Sequence, residues 1–406
     1  MSKSEFYNAF TAFNPNLFGG RNHDIHALRR RQLAHGFSQT SVQKLEPLIE
    51  EQMQILKTKL YGYAKTGEAF DLKNALSLYV LDILGEVAFG KSFDVQKKGE
   101  SEEIHAIENH LLLSGIIGEL PLQWLTKMLS RFSPIPWMRH LMISRNRLKE
   151  ICAQGVKFKM TNPSERPDLL RSLVTAVDPE TKTRLTEQEI NSEAFAVLVA
   201  GSHSTAGTMG LLFWYLIQNP GIMKNVQQEI LTTIGPLQDG QVSYPITGLE
   251  SSLRYTMACV RENFRISPVF TMPLWRRVDS PAGIHIGQYH IPQGAIICIS
   301  NYVLHHNPAI WGPTHNIFHP GRWLDDNYNS EKSRFLIPFS VGPRQCIGRN
   351  LAMTNILKSV TTLLAIFDFE SLDLRPRVAV RSSGIGEMEG EFLVKVSIKD
   401  SSNSDA

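Results

Sequence analysis

Between Ala194 and Met223 the chain carries no aspartate, glutamate, lysine or arginine. A stretch this long exceeds the roughly 20 residues needed to cross a bilayer. Its middle, however, holds Gly201, Ser202, His203, Ser204, Thr205 and Gly207, which a lipid-facing helix would have to desolvate. The pattern instead describes a helix surrounded by protein on most sides. Thr186 and Glu189 form a capping box at its start, and Pro220 ends it after about Asn219. At 1.5 Å per residue the segment is on the order of 50 Å long, enough to cross a whole molecule.

What surrounds it also reads as mostly helical. Ser38 to Thr66 carries Leu45, Leu48, Ile49, Met53, Leu56 and Leu60 at helical spacing, and Leu72 to Phe89 forms a second apolar helix. After Leu274 the texture changes. Gly283 to Pro292 and Ala295 to Ser300 are short β-rich runs bounded by Gly and Pro, and Phe392, Val394 and Val396 alternate between Glu391 and Ile398. The fold class is therefore mainly α with small β-sheets, without the alternation of a Rossmann fold or a β/α barrel. Length alone fits two or three domains or one large single-core unit over residues 1–398, with 399–406 as a polar tail.

Composition narrows the function. Forty-two basic and 39 acidic residues give a formal charge of +3, spread along the chain, so no nucleic-acid footprint appears. Apolar residues make up 42% and charged residues 20%, which excludes disorder. Cys152, Cys259, Cys298 and Cys346 show no C-x-x-C and no zinc spacing, consistent with a reducing, intracellular setting. The pairs His23/His26 and His305/His306 lack a third ligand at sensible spacing. No signal peptide, P-loop or G-x-S-x-G is present, and Gly384-Ile-Gly386 is followed by Glu389 where a dinucleotide fingerprint needs glycine. The chain therefore shows no nicotinamide or flavin site of its own.

The sharpest local feature is Phe339-Ser-Val-Gly-Pro-Arg-Gln-Cys-Ile-Gly348. It puts Cys346 in a Gly/Pro-bounded loop ahead of an apolar helix running from about Arg349 towards Phe367. A helix N-terminus and free backbone N–H groups favour a thiolate there, a soft anionic ligand for a metal. Gly342 and Gly348 would let the backbone approach a flat prosthetic group, and Arg344 could reach an anionic substituent of it. A small buried hydrophobe is the alternative reading of a free cysteine.

Phe339, Gly342, Arg344, Cys346 and Gly348 match every fixed position of F-x-x-G-x-R-x-C-x-G, and the sequence here resembles the cytochrome P450 superfamily. Glu262-Asn-Phe-Arg265 resembles the family's E-x-x-R, and Phe318-His-Pro-Gly-Arg-Trp323 its later F-x-P-x-R-W. The resemblance implies a structural lock of Glu262, Arg265 and Arg322. Ala200-Gly-Ser-His-Ser-Thr205 falls where the family carries A/G-G-x-D/E-T-T/S. Here His203 stands at the acid position and Ser204 at the first threonine, while Thr205 matches. His203 could relay protons near neutral pH but would not act as a carboxylate; the bland alternative is a satisfied buried contact. His26 and Arg30, four apart on one helix face, resemble the family's W-x-x-x-R. With Arg276 and Arg344 they are implied to hold haem propionates, a surface basic cluster being the alternative. Phe10, Phe13 and Leu17 lie in a loop that overlies the haem in the family.

The resemblance spans about Ser4 to Val396 and implies a cytochrome P450 fold lacking its N-terminal part: anchor helix, first helix and first strands. Two consequences are expected, an open edge on the strands after Leu274 and a pocket short of one wall. The implied cofactor is haem b with Cys346 as axial thiolate, reached by NADPH only through a cytochrome P450 reductase, with cytochrome b5 as a further donor. Arg31, Arg349 and Lys358 are candidate donor contacts, against a merely solvated face. The implied reaction is insertion of one oxygen atom of O2 into an apolar small molecule, in fungal secondary metabolism. Rearrangement or dehydration without net oxygen insertion, and a truncated non-catalytic binding module, stand beside it. An upstream anchor would put the protein at the endoplasmic-reticulum membrane surface, with peripheral contact; otherwise it is cytoplasmic.

Overall fold

A computed structural model describes residues 1–120, 134–162, 166–382 and 384–399; most of the expected polar tail lies outside them. The principal helices are α1 (His23–Ala34), α2 (Gln39–Lys44), α3 (Glu46–Thr66), α4 (Leu72–Leu84), α5 (Glu102–Glu119), α6 (Pro136–Thr161), α7 (Glu187–Gln218), α8 (Pro220–Ile234), α9 (Arg254–Ile266) and α10 (Arg349–Ile366).

The uncharged segment is α7. The Thr186 hydroxyl accepts from the Glu189 N–H while the Glu189 carboxylate accepts from the Thr186 N–H, so the capping box is complete. From Thr208 to Ile217 every residue is buried, because α4, α6, α8, α9 and α10 all pack on this helix. α7 is long and apolar enough to cross a membrane, yet 61% of its most apolar window is buried inside the protein. It is the central strut of the core.

Two helices end earlier than the hydrophobic pattern implies. The stretch Ser38 to Thr66 is broken at Leu45 into α2 and α3. Pro47, at the start of α3, has no N–H, and its ring excludes the carbonyl four residues earlier, so the ladder must restart. The run from Leu72 to Phe89 is α4 followed by a wider turn at Gly85–Phe89, closed by Gly90 in the left-handed region at φ 72°. Gly85 is required there, since a Cβ would lie 2.7 Å from the Lys91 carbonyl oxygen.

The strands form small antiparallel sheets. β1 (Ser2–Lys3) pairs with β3 (Arg276–Arg277), which pairs with β6 (Ile296–Ile297). β2 (Phe70–Asp71), β10 (Leu393–Ile398) and β7 (Phe367–Ser371) form a second sheet. β4 (Ile284–Ile286) with β5 (Tyr289–Ile291), and β8 (Val380–Ser382) with β9 (Gly386–Met388), are hairpins. Of the strands after Leu274, for which an open edge is expected, β3 is paired on both sides, by β6 and by the chain's own first residues. That register sets Lys3 opposite Arg276 and Ser2 opposite Arg277.

Candidate active site

The loop from Phe339 to Gly348 folds back on itself. The Cys346 N–H donates to the Phe339 carbonyl at 2.8 Å, and Gly342 takes a left-handed φ of 76° to turn the chain. Phe339 meets Phe264 edge-on at 5.3 Å, tying the loop to α9. Cys346 is exposed, yet burial raises its thiol pKa against the opposing pull of the Gly348 N–H and Arg30. A side chain both exposed and deep faces an internal space. α7 shows a complementary face: Ala200 is exposed and Ala196 and Ser204, one turn before and after it, are half-buried, in contrast to the fully buried run from Thr208 to Ile217. Small residues at one-turn spacing on this face leave a gap beside it.

One flank of this region is basic. Arg30 donates to the Gln345 carbonyl at 2.7 Å, beside Cys346. Arg344 donates to the carbonyls of Gly20 and Arg21 at 2.7 and 3.2 Å. Arg276 donates to the Tyr7 hydroxyl at 2.6 Å. Lys3, which nothing in the sequence marks, joins them: it is 4% exposed, bonds the Phe18 carbonyl and lies over the Tyr7 and Phe18 rings. Burial, then Arg344 and Arg276, pull its pKa well down. Burial, then Arg344, Lys3 and Arg30, hold His26 at about 4, so it is neutral at pH 7. Among the described residues, Lys3, Arg30, Arg276 and Arg344 have no carboxylate partner. Directly opposed like charges on paired strands are unfavourable. The set fits a cofactor with two carboxylates and a metal that takes a thiolate.

The three lock residues come together. Glu262 accepts from Arg265 at 2.8 and 3.0 Å, from Arg322 at 3.1 Å, from the His319 N–H at 3.0 Å and from the Trp323 indole at 2.8 Å. Arg265 spends its remaining donors on the carbonyls of His305, His315 and Ile317. Trp323, the last position of the F-x-P-x-R-W match, is an additional member.

On the α7 side, the Ser204 hydroxyl donates to the Ala200 carbonyl at 2.6 Å, Thr205 is buried, and His203 Nε2 lies 3.0 Å from Glu387 on β9. Phe10 packs with Phe6 and Phe18 in the core, while Phe13 and Leu17 are half-buried beside α7. The donor-contact expectation needs correction. Lys358 is fully buried and bonds Glu46, Glu50 and the Tyr244 carbonyl, since α10 is packed on all sides, so no partner can reach it. Arg31 is tied to Asp178 at 2.9 Å; Arg349 is open.

A mainly helical fold with a thiol loop ahead of an apolar helix and a carboxylate-free basic flank is what the class of haem-thiolate proteins requires. Residues 6–395 match the family model described as Cytochrome P450, and the chain belongs to that family of oxidoreductases. It is 28% identical over 397 residues to a cytochrome P450 monooxygenase of Gibberella zeae, covering 96% of this chain and 88% of that one. It is 27% identical over 398 residues to benzoate 4-monooxygenase bphA of Aspergillus niger, covering 91% and 75%. The crystal structure of a cytochrome P450, CYP102L1, superposes with a TM-score of 0.81 at 18% identity, covering 98% of this chain and 85% of that one. The family carries a haem held by a cysteine thiolate, and the residues described above fit that group.

Proposed function

We propose that this protein is a monooxygenase that inserts one atom of O2 into an apolar small molecule, with electrons delivered from NADPH by a separate reductase. The single observation that carries the reading is Cys346, deep but exposed, with carboxylate-free cations on one flank and a gap lined by α7. Bound at that thiolate, a haem supplies the activation of O2. Lys3, His26, Arg30, Arg276 and Arg344 would hold its propionates, and Arg30 and the Gly348 N–H favour the anionic sulfur. Thr205 and Ser204 would orient oxygen, and Phe13 and Leu17 would exclude water from the substrate. The lock of Glu262, Arg265 and Arg322 holds α9 to the segment from His305 to Trp323 and touches no reacting atom. The fungal relatives support a role in tailoring a secondary metabolite.

One observation favours a second reading. With His203 in the acid position and the Ser204 hydroxyl committed to Ala200, a rearrangement without net oxygen insertion fits the same pocket. The reduced, CO-bound spectrum of the purified protein is expected to show the thiolate band and to lose it in Cys346→Ala. Product formation without O2 and NADPH consumption would remove the monooxygenase reading, and a thiolate band surviving in Cys346→Ala would remove the ligand assignment.

A further inference from the structure

His203 does not stand alone on α7. Its Nε2 lies 3.0 Å from a Glu387 carboxylate oxygen, with the two side chains 12% and 18% exposed. Ligand atoms of Glu108, on α5, fall within 4.8 Å of both. Arg381, on β8, donates to the other Glu387 oxygen at 2.8 Å, and Lys73, on α4, donates to the Met388 carbonyl at 3.1 Å and acts electrostatically on Glu387.

We propose that Glu387, reaching across from β9, replaces the carboxylate missing from α7 and works through His203 to deliver protons to the oxygen-binding side of the site. The proposal rests on the monooxygenase reading.

Placement supports it first. His203 immediately precedes Ser204 and Thr205, and the backbone fixes the distance to β9. The Gly386 carbonyl lies 3.3 Å from where a Cβ on Gly207 would sit. The Gly386 N–H donates to Val269 at 2.6 Å, and the N–H groups of Thr271 and Met272 donate to Gly384. The hairpin is thus pinned to α7 and to the segment after α9.

Protonation supports it second. Burial disfavours the Glu387 charge, but the hydrogen bond and charge of His203, then Arg381 and Lys73, hold its pKa at about 2. Glu387 therefore remains an acceptor at neutral pH and keeps a proton on Nε2 of the ring. Nδ1, the nitrogen nearer the helix backbone, is then the atom that gives up and regains a proton. Release at Nδ1 leaves the neutral Nε2–H ring bonded to Glu387, and a solvent proton restores the cation. Partial exposure of the pair gives solvent a route to it, which a sealed core ion pair would lack. Two cations beside two carboxylates leave little net negative charge, so the cluster suits proton traffic better than a divalent metal.

The test uses the haem-loaded protein with an NADPH-linked P450 reductase and compares wild type, Glu387→Gln, Glu387→Asp and the double variant Glu387→Gln with His203→Asp. Glu387→Gln is expected to slow NADPH-driven O2 consumption about tenfold to a hundredfold and to enlarge its solvent deuterium isotope effect, with the CO band unchanged. Glu387→Asp should retain part of the rate, and His203→Asp should restore much of it by returning the acid to the helix. Nitrogen-15 NMR of the histidines should find His203 protonated at Nε2 in wild type and shifted in Glu387→Gln. An Nε2-deprotonated ring, an unchanged rate and isotope effect, or saturable zinc binding that Glu387→Gln abolishes would each overturn the proposal. A wild type that consumes no O2 despite an intact CO band would overturn the monooxygenase reading itself, and the relay with it.

Discussion

Replacing Glu262 by glutamine removes one negative charge from a site that is fully buried and holds two guanidinium groups. The Glu262 carboxylate receives five donors, two of them from Arg265, which is itself 0% exposed, and one from Arg322, which is 7% exposed. Glutamine keeps one carbonyl oxygen, enough for the Oε1 group of Arg265 Nη2, Arg322 Nε and His319 N–H. Its NH2 would face Arg265 Nε and the Trp323 indole N–H, donor against donor. Breaking a buried ion pair by removing one partner costs about 3–5 kcal/mol, and the Trp323 bond adds about 1 kcal/mol. Glu262→Gln should therefore lose about 4–6 kcal/mol, a large part of the roughly 5–15 kcal/mol that holds a domain together. Arg254→Ala supplies the contrast, because the Arg254–Asp326 pair is 61% and 84% exposed and such pairs contribute little. Equilibrium urea unfolding followed by tryptophan fluorescence measures both, with Trp311 and Trp323 as reporters beside the lock. Haem content after purification should fall in parallel for Glu262→Gln alone. An unfolding free energy within about 1 kcal/mol of wild type for Glu262→Gln would refute the reasoning, since the stated cost follows from burial of both arginines.

Two other perturbations read different parts of the molecule. Glu193, buried on α7, bonds the Leu17 N–H at 2.9 Å; burial raises its pKa to about 7 against the pull of that N–H and Arg29. The folded state then keeps a proton that the unfolded chain releases near pH 4.3, so stability falls as pH rises from there to about 7 and is level above. Glu193→Gln should remove this fall, worth about 4 kcal/mol, and its thermal midpoint should gain on wild type between pH 5 and 8; parallel profiles would refute it. Lys3→Met should raise the midpoint of the apoprotein by removing a cation opposite Arg276. The same change should speed haem transfer to a scavenging protein about tenfold, the loss of one charge-assisted bond of ~1.5 kcal/mol; equal shifts in both forms would show Lys3 to be ordinary packing.

Legibility in the sequence tracked distance along the chain. The cysteine loop, the capping box at Thr186 and the pair Glu262/Arg265 each lie within ten residues, so local spacing exposes them. The hairpin of β4 and β5 is also local, and its Gly and Pro boundaries announce it. Arg322 was reachable because a second short pattern surrounds it. Lys3, Glu387 and the burial of Lys358 depend on which distant segments meet. A lysine two residues from the start of a sequence looks like a solvated end until its strand is found against Arg276. Lys358 reads in the sequence as a donor contact or a solvated side chain, but Glu46 and Glu50 of α3 supply the charges that allow it inside. The break at Leu45 was written in Pro47, whose effect on the ladder outweighs the continuous hydrophobic spacing.

The near-neutral charge balance of the whole chain conceals an uneven distribution at the site. Four cations without carboxylate partners gather beside the cysteine loop, whereas the two carboxylates near His203 are balanced by Arg381 and Lys73. The first arrangement works against folding, because Lys3 and Arg276 repel across paired strands and both would lose solvent without gaining an anion. It persists only if something else in the fold over-determines it or if a bound dianion relieves it. Aromatic rings do part of this: Tyr7 lies under both Lys3 and Arg276. A cofactor carrying two carboxylates would do the rest, and its binding free energy would appear as stability of the β1–β3–β6 sheet. The residues proposed to hold the cofactor are therefore those whose repulsion its binding would remove, which would couple completion of this edge of the fold to loading of the site.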